Sequence, residues 1–278
     1  MAHCTVEEAD AILDKEFQVL DKGFVRLVDY MGSDERIVQA ARVSYGEGTK
    51  SFREDAALID YLLRNEHTSP FEQVVLTFHA RMPIFVARQW VRHRTARLNE
   101  ISGRYSVLND DFYLPELEDI CAQSADNKQG REESPLPPDQ GKAVRTIIKE
   151  ACEESCKAYE QLLGLDTARE LARMVLPLNL YTEWYWQIDL HNLFHFLHLR
   201  LDAHAQREIR VYAEIMYDMA KKVCPRACQS FEKHIFKGTR FSAAERAALS
   251  GMETKHGLSG KEARRLEAKL EEGRKLRE

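Results

Sequence analysis

The stretch HTSPFEQVVLTFHARMPIFVARQWVRHRTARLNEISGRYS, residues 67–106, changes character several times, and the order of those changes decides the fold class. It opens on HTSPFEQ (67–73), a polar, proline-broken run that reads as a loop. VVLTFHARM (74–82) is apolar and begins with two β-branched residues, so it reads as a strand. Pro83 suits the first turn of a helix, where a missing N–H costs no hydrogen bond, and PIFVARQWVRH (83–93) should therefore be helical. Near Thr95 the chain should leave that helix for a loop that ends close to Gly103.

The flanking sequence extends the same alternation. GFVRLVDYMG (23–32) alternates like a strand and runs into a Gly-Ser-Asp turn. SDERIVQAARVSY (33–45) follows with a serine cap and helical periodicity, and REDAALIDYLLRNEH (53–67) is a second amphipathic helix. AVRTIIKEACEESCKAYEQLLGL (143–165) predicts a long helix. DTARELARMVL (166–176) predicts another, capped by Asp166 and stopped by Pro177. TEWYWQID (182–189) resembles a strand, and LHNLFHFLHLRL (190–201) and AHAQREIRVYAEIMYDMAKKV (203–223) read as helices. Helices mixed with scattered strands give an α/β or α+β class, with a mixed sheet flanked by helices. No internal repeat is visible.

Two regions differ in composition. Residues 115–142 are rich in Pro, Gly and charge and read as an exposed, mobile insertion rather than a domain linker. Beyond 238 the chain turns to Ala, Glu, Lys and Arg with few large apolar groups, a solvated helix or disorder. The expected organisation is thus one domain over 1–237 and a charged tail over 238–278.

Charge and cysteine content narrow the function classes. A formal net charge of −5 over 278 residues gives no global pull toward nucleic acid or anionic membrane. The five arginines of residues 88–106 are therefore a local concentration, which favours a small anionic ligand over a polymer. The opening MAHCTVEEADAILDKEF is acidic and lacks the apolar core of a secretory signal. No window approaches the roughly 18 apolar residues of a membrane span. The six cysteines have neither redox nor zinc spacing and read as reduced thiols of a cytoplasmic protein.

Several clusters could carry chemistry. Guanidinium forks match phosphate oxygens, and a Ser-Gly turn adds backbone donors that glycine lets a ligand approach. The plainer reading of the same arginines is a solvated cationic face paired with carboxylates, and composition does not separate the two. His191, His195 and His198 recur at i, i+4, i+7 with His204 just beyond, a spacing that can hold a metal. Yet there is no HExxH pattern and the nearest carboxylate is Asp189, so core or ligand-contacting histidines are the commoner outcome. The aromatics of YTEWYW are more often core than stacking platform. His67, Ser69 and Glu72 share a loop, where function concentrates, although Ser-Pro is also ordinary turn chemistry. Arg173 and Arg200 lie in apolar surroundings and each needs an anionic partner, from the protein or from a ligand.

Taken together, these pieces resemble the flavin-dependent thymidylate synthases. Their signature of Arg-His-Arg, seven residues, then Ser is met by Arg92, His93, Arg94 and Ser102 in RHRTARLNEIS. The likeness continues upstream through HTSPFEQVVLTFHARMPIFVARQW and downstream through LARMVLPLNLYTEWYWQIDLHNLFHFLHLRLDAHAQREIR, covering about residues 20–237. The resemblance implies an FAD-binding α/β homotetramer that converts dUMP to dTMP, with active sites where subunits meet. Methylenetetrahydrofolate would be the carbon donor and NADPH the source of reducing equivalents.

Carried over residue by residue, the resemblance places Gln89, Arg92, Glu100, Ser102, Gly103 and Arg104 against the nucleotide, with Arg173 a second contact from elsewhere in the tetramer. It places Arg200 against the uracil ring, where a fixed cation favours loss of the N3 proton. Ser69, Arg92, His93, Arg94, Glu100, Asp189, His191 and His195 would meet the flavin, and His204 would lie near its ring system. No metal is implied. Many relatives carry Asn and Arg where this chain has Asp189 and His191, and a small residue where it has Arg97. Ordinary thymidylate synthases use a cysteine in a Pro-Cys-His setting, and no cysteine here is followed by histidine. The implied chemistry takes its hydride from the flavin, with Ser102 a positioning group rather than a nucleophile.

Overall fold

A computed structural model describes residues 4–43, 52–108, 110–125, 128–250 and 260–275. Contacts divide the chain into two compact units, 1–231 and 232–278. The sequence placed that division after 237.

The first unit is built on a five-stranded sheet in the order β1-β2-β3-β7-β4. Its strands are β1 (Phe17–Val19), β2 (Gly23–Met31), β3 (Val75–Pro83), β4 (Arg97–Glu100) and, after a separate small pair, β7 (Tyr181–Asp189). That pair is β5 (Cys121–Gln123) and β6 (Arg131–Pro135). Every pairing is antiparallel. The architecture is therefore α+β, and the expected mixed sheet is corrected to an antiparallel one. Antiparallel sheets tolerate one open face, and the burial pattern shows it. Leu76, Phe78, Ala80 and Met82 of β3 are buried, and so are Thr182, Trp184, Trp186 and Ile188 of β7. Their alternating neighbours point away from that core.

The helices of this unit are α1 (Glu7–Asp10), α2 (Asp34–Arg42), α3 (Phe52–Arg64), α4 (Ile84–Trp90), α5 (Pro138–Gly164), α6 (Arg169–Ala172), α7 (Leu190–Arg200), α8 (Arg207–Val223) and α9 (Pro225–Phe231). Ser33 caps α2 as expected, its side chain accepting from the Glu35 N–H at 3.3 Å. Residues 44 and 45 of the expected helix lie outside the described residues. α8 packs on β1, β2, α4 and α7 with its apolar side buried.

Trp90 ends α4 fully buried. Its indole meets Trp184 at 5.4 Å, Trp186 at 5.3 Å, Phe196 at 5.2 Å and Tyr212 at 5.9 Å, ring centre to ring centre. Burying each such side chain contributes about 1.5–3 kcal/mol. This knot joins α4, β7, α7 and α8 and fixes where the chain emerges after Trp90. The tryptophans of YTEWYW, Trp184 and Trp186, are core, as their plainer reading held.

Other expectations change. Residues Ser69–Gln73 form a 3-10 turn rather than an open loop. Pro83 closes β3 and stands just before α4 instead of inside it, and the first N–H groups of α4 reach the carbonyls of Leu180 and Leu178, both at 2.9 Å. Residues 97–100 form the edge strand β4, because β7 offers them a free row of backbone groups. Asp166 is no cap: it sits at φ 59° in the turn after α5, and the expected helix 166–176 shrinks to α6 and a 3-10 turn over Arg173–Val175. The 115–142 segment contains β5 and β6, and its last residues begin α5. Arg131 of β6 donates to the buried Glu208 at 3.1 Å, and Arg207 reaches Asp119 at 2.7 Å, so this segment is tied to the start of α8.

The second unit contains a π-helical turn, Glu232–Phe236, then α10 (Ala243–Ser250) and α11 (Gly260–Lys275), which pack on each other. Among the described residues no helix is long and apolar enough to cross a membrane.

Candidate functional site

A cavity of about 280 Å³ opens where the chain leaves α4 and faces α7. Arg92, His93, Arg94 and Thr95 line one side, Ile188 its floor, and Asn192, His195, Leu199 and Arg200 the other. Trp90 sets the first wall: it is locked in the core, and its carbonyl accepts the His93 N–H at 3.0 Å. Helical spacing sets the second, since Asn192, His195 and Leu199 share one face of α7.

Arg200, at the last turn of α7, is half-buried. Its Nε donates to His93 Nε2 at 3.2 Å and its Nη2 to the Gln89 carbonyl at 3.4 Å. Both partners are neutral acceptors. Burial lowers the pKa of His93 to about 4, and the charges of Arg200 and His195 add to that. Burial also holds Arg200 below its ordinary value, though an arginine stays charged at any working pH. Arg92 and Arg94 are exposed at the rim and make no ion pair or hydrogen bond among the described residues. An arginine with no protein carboxylate, beside others in the same state, is a place for an external anion.

Asp189 caps α7. Its Oδ1 accepts from the Asn192 N–H at 2.9 Å and its Oδ2 from the Asn192 side-chain amide at 2.7 Å. Asp189 therefore reaches the cavity through Asn192. Ser69 and His191 do not line the cavity, and neither does His204, which is exposed beyond α7 and bonded to Asp202 at 2.9 Å. His191, His195 and His198 do not gather as a metal set: no group of three or more His, Cys, Asp or Glu converges among the described residues.

The nucleotide-side candidates form a second cluster. Ser102 Oγ accepts the Arg104 N–H at 3.3 Å, and its carbonyl accepts Tyr105 and Ser106, so the loop closes on itself. Gly103 is buried; a Cβ there would come within 2.8 Å of Leu108 and 3.5 Å of the Arg173 side chain. Arg173 thus stands beside this loop in the same chain. Arg104 pairs with Glu170 at 3.4 Å, and Arg169 donates to the Tyr105 carbonyl at 2.8 Å. Glu100 ends β4, its Oε1 accepting from the buried Thr182 hydroxyl at 2.5 Å. Gln89 joins its side chain to Gln206.

The two clusters are not brought together within one chain. The Ile101 N–H binds the Glu183 carbonyl, whereas Ile188 floors the cavity, a separation along β7 of roughly 17 Å at about 3.3 Å per residue. Ile101, Tyr105 and Val107 in and beside the Ser102 loop, and Leu171, Met174 and Leu178 along the segment that carries Arg173, expose large apolar side chains.

Three contributors escaped the sequence reading. Asn192 was signalled by its spacing, a cap residue followed three positions later by a side chain that bonds back to it. Thr182 and Glu170 carry no local signal, because their partners are set by the β4–β7 pairing and by the α6 turn.

A family model described as thymidylate synthase complementing protein matches residues 26–226. A flavin-dependent thymidylate synthase of Treponema denticola is 63% identical over 268 residues, 95% of this chain and 100% of the relative. One from Thermus thermophilus is 57% identical over 236 residues, 85% of each chain. Among solved structures, a UMP/dUMP methylase, PolB, from Streptomyces cacaoi bound with 5-Br dUMP superposes with a TM-score of 0.72 at 33% identity, over 80% of this chain and 100% of that one.

Proposed function

The chain belongs to the thymidylate synthase complementing protein family, whose relatives above are flavin-dependent thymidylate synthases, and from that premise we propose that it converts dUMP to dTMP as a flavin-dependent methyltransferase. The observation that carries the reading is Arg200, half-buried beside a cavity and held, among the described residues, by two neutral acceptors, so that its charge is left for a ligand.

In this reading Arg200 lies against the uracil ring and stabilises the anion formed as N3 loses its proton. Gln89 and Arg92 reach the same nucleotide from the end of α4. Its phosphate is taken by Ser102, Gly103, Arg104 and Arg173, a glycine turn flanked by guanidinium groups, with Glu100 held by Thr182 beside them. Since one chain keeps these clusters apart, they meet across a contact between copies, and the exposed apolar patch around the Ser102 loop is where a second copy packs. A symmetric homotetramer supplies such contacts.

The free guanidinium groups of Arg92 and Arg94 fit the diphosphate of FAD, and His93, His195 and Asn192 offer imidazole and amide groups to the remainder. Ser69, Asp189, His191, Glu100 and His204 complete the proposed flavin surroundings, Asp189 through Asn192. When bound, the flavin supplies the hydride, with NADPH restoring it and methylenetetrahydrofolate supplying the carbon. No metal takes part. The chain's own residues bind, orient and polarise the pyrimidine. The cysteines support this reading: Cys152, Cys224 and Cys228 are buried, burial raises the pKa of each thiol, and none lines the cavity. All six are free, which suits the cytoplasm.

The test is spectroscopic. The purified protein should be yellow, and its flavin spectrum should shift on adding dUMP. A colourless protein that takes up no FAD contradicts the proposal.

A further inference from the structure

We infer that His93 is a positioning residue for Arg200: its imidazole accepts the Arg200 Nε–H through Nε2 and so aims the remaining guanidinium N–H groups at the cavity. The inference rests on the reading that places Arg200 against the pyrimidine, and it assigns His93 a task beyond contact with the flavin.

The geometry is built from both walls. His93 is held from below by the Trp90 carbonyl and from the side by Phe196, whose ring meets it edge-on at 4.9 Å and 75°. The His195 ring stands 5.8 Å from it, centre to centre. Phe196 and Arg200 are four residues apart on α7, so one helix face presents both the ring that steadies His93 and the arginine that uses it. The Gln89 carbonyl supplies a second acceptor at Nη2. An arginine side chain has many rotamers, and two acceptors at different nitrogens fix both the position and the rotation of its plane. An imidazole can accept at Nε2 only when its proton lies on Nδ1 and the ring is neutral. The half-buried position beside Arg200 and His195 keeps it so, holding its pKa to about 4. A carboxylate in its place would also orient Arg200, but would cancel the charge that the pyrimidine needs.

Two variants of the full-length protein separate the acceptor from the ring. His93→Phe keeps an aromatic ring against Phe196 and has no acceptor. His93→Gln gives up the ring and offers an amide oxygen at about the reach of Nε2. Flavin content and melting temperature are measured for each, then kcat and KM for dUMP. The expected result is a kcat lowered about a hundred-fold in His93→Phe, with KM changed less than kcat. His93→Gln should return to within about ten-fold of wild type. Wild-type kcat in His93→Phe, or equal losses in both variants, overturns the assignment. If the wild type itself does not turn dUMP over, the functional reading has failed. The pairing is then decided by spectra of protein labelled with ¹⁵N-histidine, as it is if a variant loses its flavin. An unprotonated His93 Nε2 that changes in Arg200→Ala supports the pairing, and an Nε2 that carries the proton overturns it.

Discussion

Arg200 is held by a ring nitrogen and a carbonyl, and that choice of partners matters more than the number of bonds. A carboxylate partner would spend the charge inside the protein; His93 and Gln89 leave it available. Arg200→Ala should therefore keep its flavin while kcat falls at least about a hundred-fold. Near-wild-type turnover would remove the role given to this residue. Ser102 works differently, since its hydroxyl already closes the loop onto Arg104. Ser102→Ala should raise KM for dUMP about ten-fold without abolishing turnover. Loss of all activity with binding and fold intact would make Ser102 a nucleophile. His93 also predicts a pH dependence. Its folded pKa of about 4 lies below the ordinary 6.5, so the unfolded chain takes up a proton that the native ring refuses. This group costs stability progressively as pH falls from about 6.5 to about 4, and nothing above that window. Melting curves at pH 7 and pH 5 should show the wild type losing more than His93→Gln, and equal losses would remove this titration from the account. At this scale the Arg-His-Arg signature made Arg92, His93, Arg94 and Ser102 legible in the sequence. The bond from Arg200 to His93 was not, because 107 residues separate the pair and only the fold brings them together.

Elements that bury a patterned side were the legible ones. β2, β3, β7, α7 and α8 all lie where their patterns put them, give or take a few residues, because each buries an apolar side, β7, α7 and α8 in the knot around Trp90 and β2 and β3 in the core beneath the sheet. Trp90→Ala should cost about 3–5 kcal/mol in denaturant unfolding. A loss under about 1 kcal/mol would mean that the knot is not what holds α4 to α7. Elements made by partners were hidden. RLNE has no apolar alternation and every residue of β4 is exposed, so only the free edge of β7 makes it a strand. Pro83 misled for a related reason: the Leu178 and Leu180 carbonyls satisfy the start of α4 from outside, which lets the strand run up to the proline. Asp189 caps α7 and holds Asn192, which lines the cavity. Asp189→Ala should cost about 1 kcal/mol of stability and also loosen Asn192, whereas Asp189→Asn can keep an acceptor for the Asn192 N–H and should cost only a few tenths. Equal losses in the two would show that α7 does not depend on this cap.

At the scale of the molecule, the proposed site falls in two pieces. The cavity of α4 and α7 lies by Ile188 and the Ser102–Arg173 loop by Glu183, toward opposite ends of β7, and in the proposed reading each holds one part of the nucleotide site. Sequence resemblance implied a site shared between subunits; the separation of the two clusters along β7 is the structural observation behind the proposal that copies complete each other. If copies complete each other, an equimolar mixture of inactive Arg200→Ala and Arg173→Ala proteins, dissociated and reassembled together, should regain about a quarter of wild-type activity, because each rebuilt site draws one good half from each variant. Mixed assemblies that stay inactive would place both halves in one chain. The central claim is the reaction, and its most direct measurement is tritium release from dUMP labelled at C5, with FAD, NADPH and methylenetetrahydrofolate present and each omitted in turn. Release that needs all of them is the result predicted here; no release with all present, or release that persists after the flavin is stripped, would contradict it.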